Sequence, residues 1–246
     1  MALIHLNFHS SVLGMACNLD AIVPERPSRD RLRMLLLLHG HSDDGTIWQR
    51  RTSIERYVDG RDLAVVMPTA HRSYYCDIPN GLAYETFIGD EVPAIARNLF
   101  HISDAREDNY VAGLSMGGYG AFKLALRHPE RYACAASLSG VMDIGALFHT
   151  VYANDPVVRA NFGNADPTGG DADVIALLRR RVAEGATLPR LYQCCGTEDF
   201  LYEQNVAFRD MARAMPIDYT YDESPGTHNW LFWDANIQKI LDWIFK

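Results

Sequence analysis

Three residue types, set far apart in this chain, could together do acyl-transfer chemistry: a serine, an acid and a histidine, in that order. Ser115 lies in Gly113-Leu114-Ser115-Met116-Gly117-Gly118-Tyr119-Gly120, between a strand-like segment (109–113) and a helix-like one (117–127). A G-x-S-x-G run in that setting puts the serine on a tight strand-to-helix bend with its hydroxyl exposed. The bend strains the serine backbone and crowds the residues two before and two after it, so both must lack a side chain. Gly113 and Gly117 occupy those positions. The N–H of the next residue, Met116, then points back toward the serine oxygen and can stabilise an oxyanion.

A serine hydroxyl is a weak nucleophile near neutral pH. It needs a base, and the base needs an acid to orient it. Both are expected in loops just beyond the C-terminal ends of later strands. The strand-like segment 190–195 runs into Gly196-Thr197-Glu198-Asp199-Phe200-Leu201. That loop offers Asp199 as the acid, with Glu198 competing; an N-cap for the next helix is the other role open to Asp199. The segment 217–221 runs into Asp222-Glu223-Ser224-Pro225-Gly226-Thr227-His228, and no other histidine follows His149. His228 is therefore the expected base. A second oxyanion donor is expected from the loop after the first buried strand, Leu38-His39-Gly40-His41-Ser42-Asp43. The backbone amide of His41 is nominated, with Gly40 as the alternative. No carboxylate or cysteine cluster at ligand spacing accompanies the two histidines, so neither a metal nor any other cofactor is implied.

The elements that must position these groups are legible as a change of texture. Ile4-Leu6-Phe8 and Met15-Cys17-Leu19-Ala21 alternate with polar residues, which predicts two half-exposed strands in a hairpin. Met34–Leu38 and Leu63–Met67 are instead continuous apolar runs, the pattern of parallel strands buried on both faces. Helices are predicted at 47–58, 87–100, 117–127, 203–215 and 231–245, and further strands at 109–113, 133–139, 190–195 and 217–221. Strand and helix alternate from about residue 33, the signature of a doubly wound α/β sheet with the hairpin at one edge. The stretch 141–188 is irregular. It is either a small lid insertion over the site or a surface excursion.

The 246 residues suit one α/β domain spanning 1–246. A net charge of −8, with no basic cluster, argues against nucleic acid as a partner. No apolar run approaches membrane-spanning length, and no cationic segment leads into an apolar stretch at the N-terminus. The five cysteines form neither a disulfide framework nor a metal pattern. Core packing in a reducing, cytoplasmic compartment fits them, and Cys194 or Cys195 is a remote alternative nucleophile.

Four ordered blocks resemble the esterase D group of α/β-hydrolases, and within it the tributyrin-esterase type. They are Leu-Leu-His-Gly-His at 37–41, Gly-Leu-Ser-Met-Gly-Gly-Tyr-Gly-Ala at 113–121, Cys-Gly-Thr-Glu-Asp-Phe-Leu-Tyr at 195–202 and Pro-Gly-Thr-His-Asn-Trp-Leu-Phe-Trp-Asp at 225–234. The resemblance implies an α/β-hydrolase fold with a mostly parallel sheet of about eight strands. It implies Ser115 as nucleophile, His228 as general base and acid, Asp199 as orienting carboxylate and the amides of His41 and Met116 as oxyanion hole. Tyr84, in the segment 78–87, and Trp230 become candidates for the acyl pocket, although packing serves Tyr84 equally well. The implied substrate is a small acyl ester, and related esterases often associate into oligomers. S-formylglutathione hydrolases are the nearest competitor, but His-Gly-His-Ser-Asp at 39–43 and Leu114 depart from their usual pattern. Sugar-acetyl and feruloyl esterases share the scaffold. An acyltransferase or a non-catalytic binding protein are the readings outside hydrolysis.

Overall fold

Continuous apolar strands require a sheet covered on both faces, and the computed structural model, which describes residues 1–246, has that arrangement. The strands are β1 (Ala2–Ser10), β2 (Met15–Val23), β3 (Arg33–Leu38), β4 (Leu63–Pro68), β5 (Asn109–Leu114), β6 (Cys134–Leu138), β7 (Arg190–Gly196) and β8 (Tyr219–Ser224). They form one eight-stranded sheet in the order β1-β2-β4-β3-β5-β6-β7-β8. β1 and β2 pair antiparallel, β2 joins β4 antiparallel, and β4 through β8 run parallel. The expected edge hairpin and mostly parallel sheet are thus both present.

Successive side chains of a strand face opposite ways, and the core divides accordingly. Met34, Leu36 and Leu38 enter the larger hydrophobic cluster, with Phe122, Leu178 and Phe208 from the helices on that side. Leu35 and Leu37 enter the other, with Trp48, Ile237 and Leu241. Strand order reverses at β3: the chain passes to β4 on one side and then to β5 on the other. Such a switch point opens a crevice beyond the carboxyl ends of the strands. The loop after β3 and the bend after β5 both end there.

Two predicted helices are broken for identifiable reasons. The expected helix 47–58 is two pieces, Ile47–Arg51 and Ile54–Tyr57, because Thr52 between them is extended (φ −133°, ψ 174°). Its hydroxyl donates to Trp48 O at 2.6 Å and accepts from Ile54 N–H at 3.1 Å, so a side chain has replaced the helical ladder. The expected helix 87–100 starts at Tyr84 and passes through a wide turn, Phe87–Glu91, before Val92–Phe100. Pro93 lacks the N–H that would reach Gly89 O, and Arg131 Nη1 donates there instead at 3.3 Å. The stretch 141–188 holds three helices, Ile144–His149, Pro156–Asn161 and Val174–Ala183, whose N-caps Asp143, Asp155 and Asp173 each accept leading N–H groups.

Candidate active site

Ser115 sits between β5 and the helix Met116–Arg127 with φ 53° and ψ −117°. A non-glycine residue holds that left-handed backbone only where its surroundings enforce it. Its N–H donates to Leu138 O at 2.8 Å, and its carbonyl accepts from Tyr119 N–H at 3.1 Å. A Cβ at Gly113 would lie 2.4 Å from Gly117 O, and one at Gly117 would lie 2.5 Å from Leu38 O. Both glycines are therefore dictated by backbone crossing backbone. Met116 opens the helix, so its N–H is among the leading groups that lack an intrahelical partner and sit at the positive end of the dipole.

Asp199 and His228 arrive on two loops tied to each other. Thr197 N–H donates to Ser224 O at 3.1 Å and Glu198 N–H to Gly226 O at 3.0 Å. The side chain of Asp199 is 0% exposed, and its Oδ1 accepts Leu201 N–H at 2.9 Å. His228 Nδ1–H donates to Asp199 Oδ2 at 2.8 Å and Oδ1 at 3.0 Å. That leaves Nε2 to accept from Ser115 Oγ at 3.0 Å. The imidazole lies between Phe200 (4.6 Å) and the edge-on ring of Trp233 (4.9 Å), which restrict its rotation. Glu198, the competing acid, is exposed and bonds to Thr197. A serine hydroxyl bonded to a neutral imidazole, itself held by a buried carboxylate, can lose its proton as its oxygen attacks an electrophile.

The loop after β3 reaches the same serine: a Cβ at Gly40 would lie 3.9 Å from Ser115 Cβ. Gly40 O accepts His39 Nδ1–H at 2.7 Å and Asp43 N–H at 3.3 Å. His39 Nε2 accepts Ala70 N–H at 2.9 Å. Burial pulls the His39 imidazole down to about 4, so it stays neutral and serves as a strut. The His41 ring lies against Tyr152 (5.1 Å) and Tyr74 (5.4 Å), and its Nε2 accepts from Arg72 Nε at 2.8 Å. Burial, and then the Arg72 charge, lower the His41 pKa below the ordinary histidine range.

Beside His41 is a cavity of about 550 Å³, lined by Arg72, Ser73, Ile78, Tyr84, Val157 and Asn161 among others. That volume is in the range of small-molecule sites. Tyr84 is buried in its wall, edge-on to His71 at 6.2 Å. Trp230 is elsewhere, packed edge-on against Trp48 and Trp233 at 5.2 Å each, behind the histidine. Cys194 and Cys195 are buried; burial pushes Cys195 up to about 12 and Cys194 well above its usual value, so both remain protonated thiols. Arg72, Asp155 and Phe200 also border this region, and none carries a local sequence signature. Phe200 lies inside a block that resembles a family motif, and only that position could have marked it.

The family profile described as "Putative esterase" matches residues 10–244, nearly the whole chain. The chain belongs to this esterase family. Among solved structures, the esterase is 37% identical to FphF of Staphylococcus aureus, a fluorophosphonate-binding serine hydrolase in a substrate-bound state. The two superpose with a TM-score of 0.93 over 100% of this chain and 98% of that one. It is equally 37% identical to an S-formylglutathione hydrolase (FrmB) from Staphylococcus aureus, with a TM-score of 0.91 over 100% and 99%. A relative over its full length, an acetyl esterase of Caldicellulosiruptor saccharolyticus, is 29% identical over 263 aligned positions, covering 100% of this chain and 99% of the relative. The esterase therefore has the α/β-hydrolase fold and is an enzyme of the serine hydrolase class.

Proposed function

We propose that this esterase hydrolyses esters of short acyl chains through an acyl-serine intermediate. The observation that carries the reading is the unbroken hydrogen-bond chain from Ser115 through His228 to Asp199, set on an enforced bend. His228 Nε2 takes the hydroxyl proton as Ser115 Oγ attacks the acyl carbon. The N–H groups of Met116 and His41 receive the oxyanion, and the imidazolium returns the proton to the departing alcohol. Water then repeats the sequence on the acyl-serine. Asp199 stays charged throughout and holds the tautomer that makes Nε2 the acceptor. Every step uses protein groups and water alone.

His41 is preferred over Gly40 as the second donor because the N–H of Gly40 faces the Asp43 carboxylate, where burial raises the pKa and that N–H offsets part of the rise. Residues 1–246 are read as one domain in which 141–188 covers the site, since Val157 and Asn161 of that stretch line the cavity. Five free thiols suit a reducing compartment, and we place the enzyme in the cytoplasm on that ground. No helix is long and apolar enough to cross a membrane.

The leaving group admits a second reading. The 37% identity to the S-formylglutathione hydrolase FrmB makes a thioester substrate as well supported as an oxygen ester, whatever residues 39–43 and 114 suggest. One experiment addresses both parts. A fluorophosphonate probe should label Ser115 alone, located by peptide mass spectrometry; a label elsewhere, or none, overturns the mechanism. Rates for p-nitrophenyl esters of rising chain length, measured beside S-formylglutathione and an acetylated sugar, then assign the substrate. A maximum at long acyl chains would overturn the short-chain reading.

A further inference from the structure

The oxyanion side of the site contains a second hydrogen-bonded chain, built from three separate parts of the fold. Arg72, from the loop after β4, donates from Nε to His41 Nε2 at 2.8 Å and from Nη2 to the Asp155 carboxylate. Asp155 belongs to the insertion 141–188, where its other oxygen caps the helix Pro156–Asn161 through Val157 and Val158 N–H at 3.0 and 3.1 Å. Asn161, at the far end of that helix, donates from Nδ2 to Arg72 O at 2.7 Å. Tyr152 of the same insertion stacks on the His41 ring at an interplanar angle of 26°.

The physical need for this chain lies in the peptide between Gly40 and His41. A trans peptide is planar, so the Gly40 carbonyl and the His41 N–H point in opposite directions and turn together. The carbonyl end is held by His39 and by Asp43 N–H. The His41 end is held through its side chain. Its Nε2 accepts from Arg72, which places the ring proton on Nδ1, and that buried nitrogen has no hydrogen-bond partner. Arg72 is thus the only polar anchor on the ring; the remaining contacts are the flanking tyrosines. Stability is a poor reason for the arrangement. The side chains of Arg72 and Asp155 are 40% and 23% exposed, and ion pairs that accessible contribute little to folding.

We propose that Arg72 is a positioning residue for the oxyanion hole, latching the insertion 141–188 to the His41 peptide through the chain Asp155–Arg72–His41. The insertion is then part of the catalytic architecture and not only a cover. This rests on the proposed role of the His41 amide, and the test separates the two.

The wild type, Arg72→Met and Arg72→Lys are compared for kcat and KM on p-nitrophenyl acetate. The same proteins are titrated with an aryl trifluoromethyl ketone, which forms a tetrahedral oxyanion on a reactive serine. Misplacing a catalytic group by about 1 Å costs up to about 10²-fold in rate. Arg72→Met should therefore lower kcat and ketone affinity together by about that factor, with KM and melting temperature close to wild type. Arg72→Lys, which keeps one donor, should fall between. Wild-type kcat in Arg72→Met overturns the latch; so does a loss that leaves the ratio of ketone affinity to substrate affinity unchanged. If Arg72→Met does not fold, Arg72→Lys decides alone, an intermediate kcat at unchanged KM supporting the latch and wild-type kcat overturning it. A wild type that neither turns over the ester nor binds the ketone would sink the underlying mechanism, and the latch with it.

Discussion

Two hydrogen-bonded chains meet at the candidate site, one ending at Ser115 and the other at His41, and each has a buried or half-buried carboxylate at its far end. On one side Asp199 holds His228, which holds Ser115. On the other Asp155 holds Arg72, which holds His41. Their middle members differ in one respect that decides what each side can do. An imidazole exchanges a proton near neutral pH, whereas a guanidinium stays protonated at any pH the fold survives. The first chain can therefore carry a proton to and from the substrate. The second can only hold a peptide still. Their solvation differs in the same sense: Asp199 has a side-chain exposure of 0%, against 23% for Asp155. Electrostatic coupling is strong where proton transfer needs it and weak where alignment alone is required.

The largest effect should come from cutting the proton-carrying chain. Ser115→Ala is expected to lower kcat by about 10⁴-fold or more, with the melting temperature unchanged; near-normal ester hydrolysis by that variant would end the assignment. Asp199→Asn should come next, at about 10⁴-fold, because an amide no longer enforces the tautomer that leaves Nε2 free to accept.

The two sides were unequally legible in the sequence. The bend at 113–117 could be read because the strain at Ser115 imposes glycine at fixed offsets, a local demand that leaves a local mark. Asp199 and His228 could be read because each follows its own strand within a few residues. Arg72 left no such mark. It lies 31 positions from His41 and 83 from Asp155, and only the completed fold joins them. The break at Thr52 escaped for the opposite reason: one hydroxyl outcompeted a ladder that the apolar spacing favoured. Trp230, a pocket candidate only through the resemblance of the block 225–234, opens the helix Trp230–Ile244 and packs edge-on against Trp48.

His39 permits a mid-sized test of how the peptide 40–41 is held. Its folded pKa of about 4 lies below the ordinary 6.5. Between those values the unfolded chain binds the proton and the native one does not, so stability is full above pH 6.5 and falls as the pH drops toward 4. A displacement from 6.5 to about 4 is worth about 3 kcal/mol. Below about pH 4 both states are protonated and the loss from this group stops. Urea unfolding at several pH values should show wild-type stability declining across that window. In His39→Asn, where the amide still donates to Gly40 O, that portion of the slope should vanish. Equal slopes in the two proteins would remove His39 as the neutral strut.

The smallest predicted effect is the sharpest for the comparison, because it makes the same chemical change on the other side. Asp155→Asn retains the oxygen that caps the helix Pro156–Asn161 and replaces the one facing Arg72 with an amide. The guanidinium then faces another donor and loses its outer anchor, but its bond to His41 Nε2 remains available. Accessible ion pairs contribute at most about 1 kcal/mol, which limits the expected loss in kcat to about fivefold. That is far below the loss for Asp199→Asn and smaller than the loss for Arg72→Met. Steady-state rates on one short ester measure all three. A loss in Asp155→Asn as large as that in Asp199→Asn would mean that the outer carboxylate takes part in charge stabilisation at the serine, and the division between a proton-carrying side and a holding side would fall.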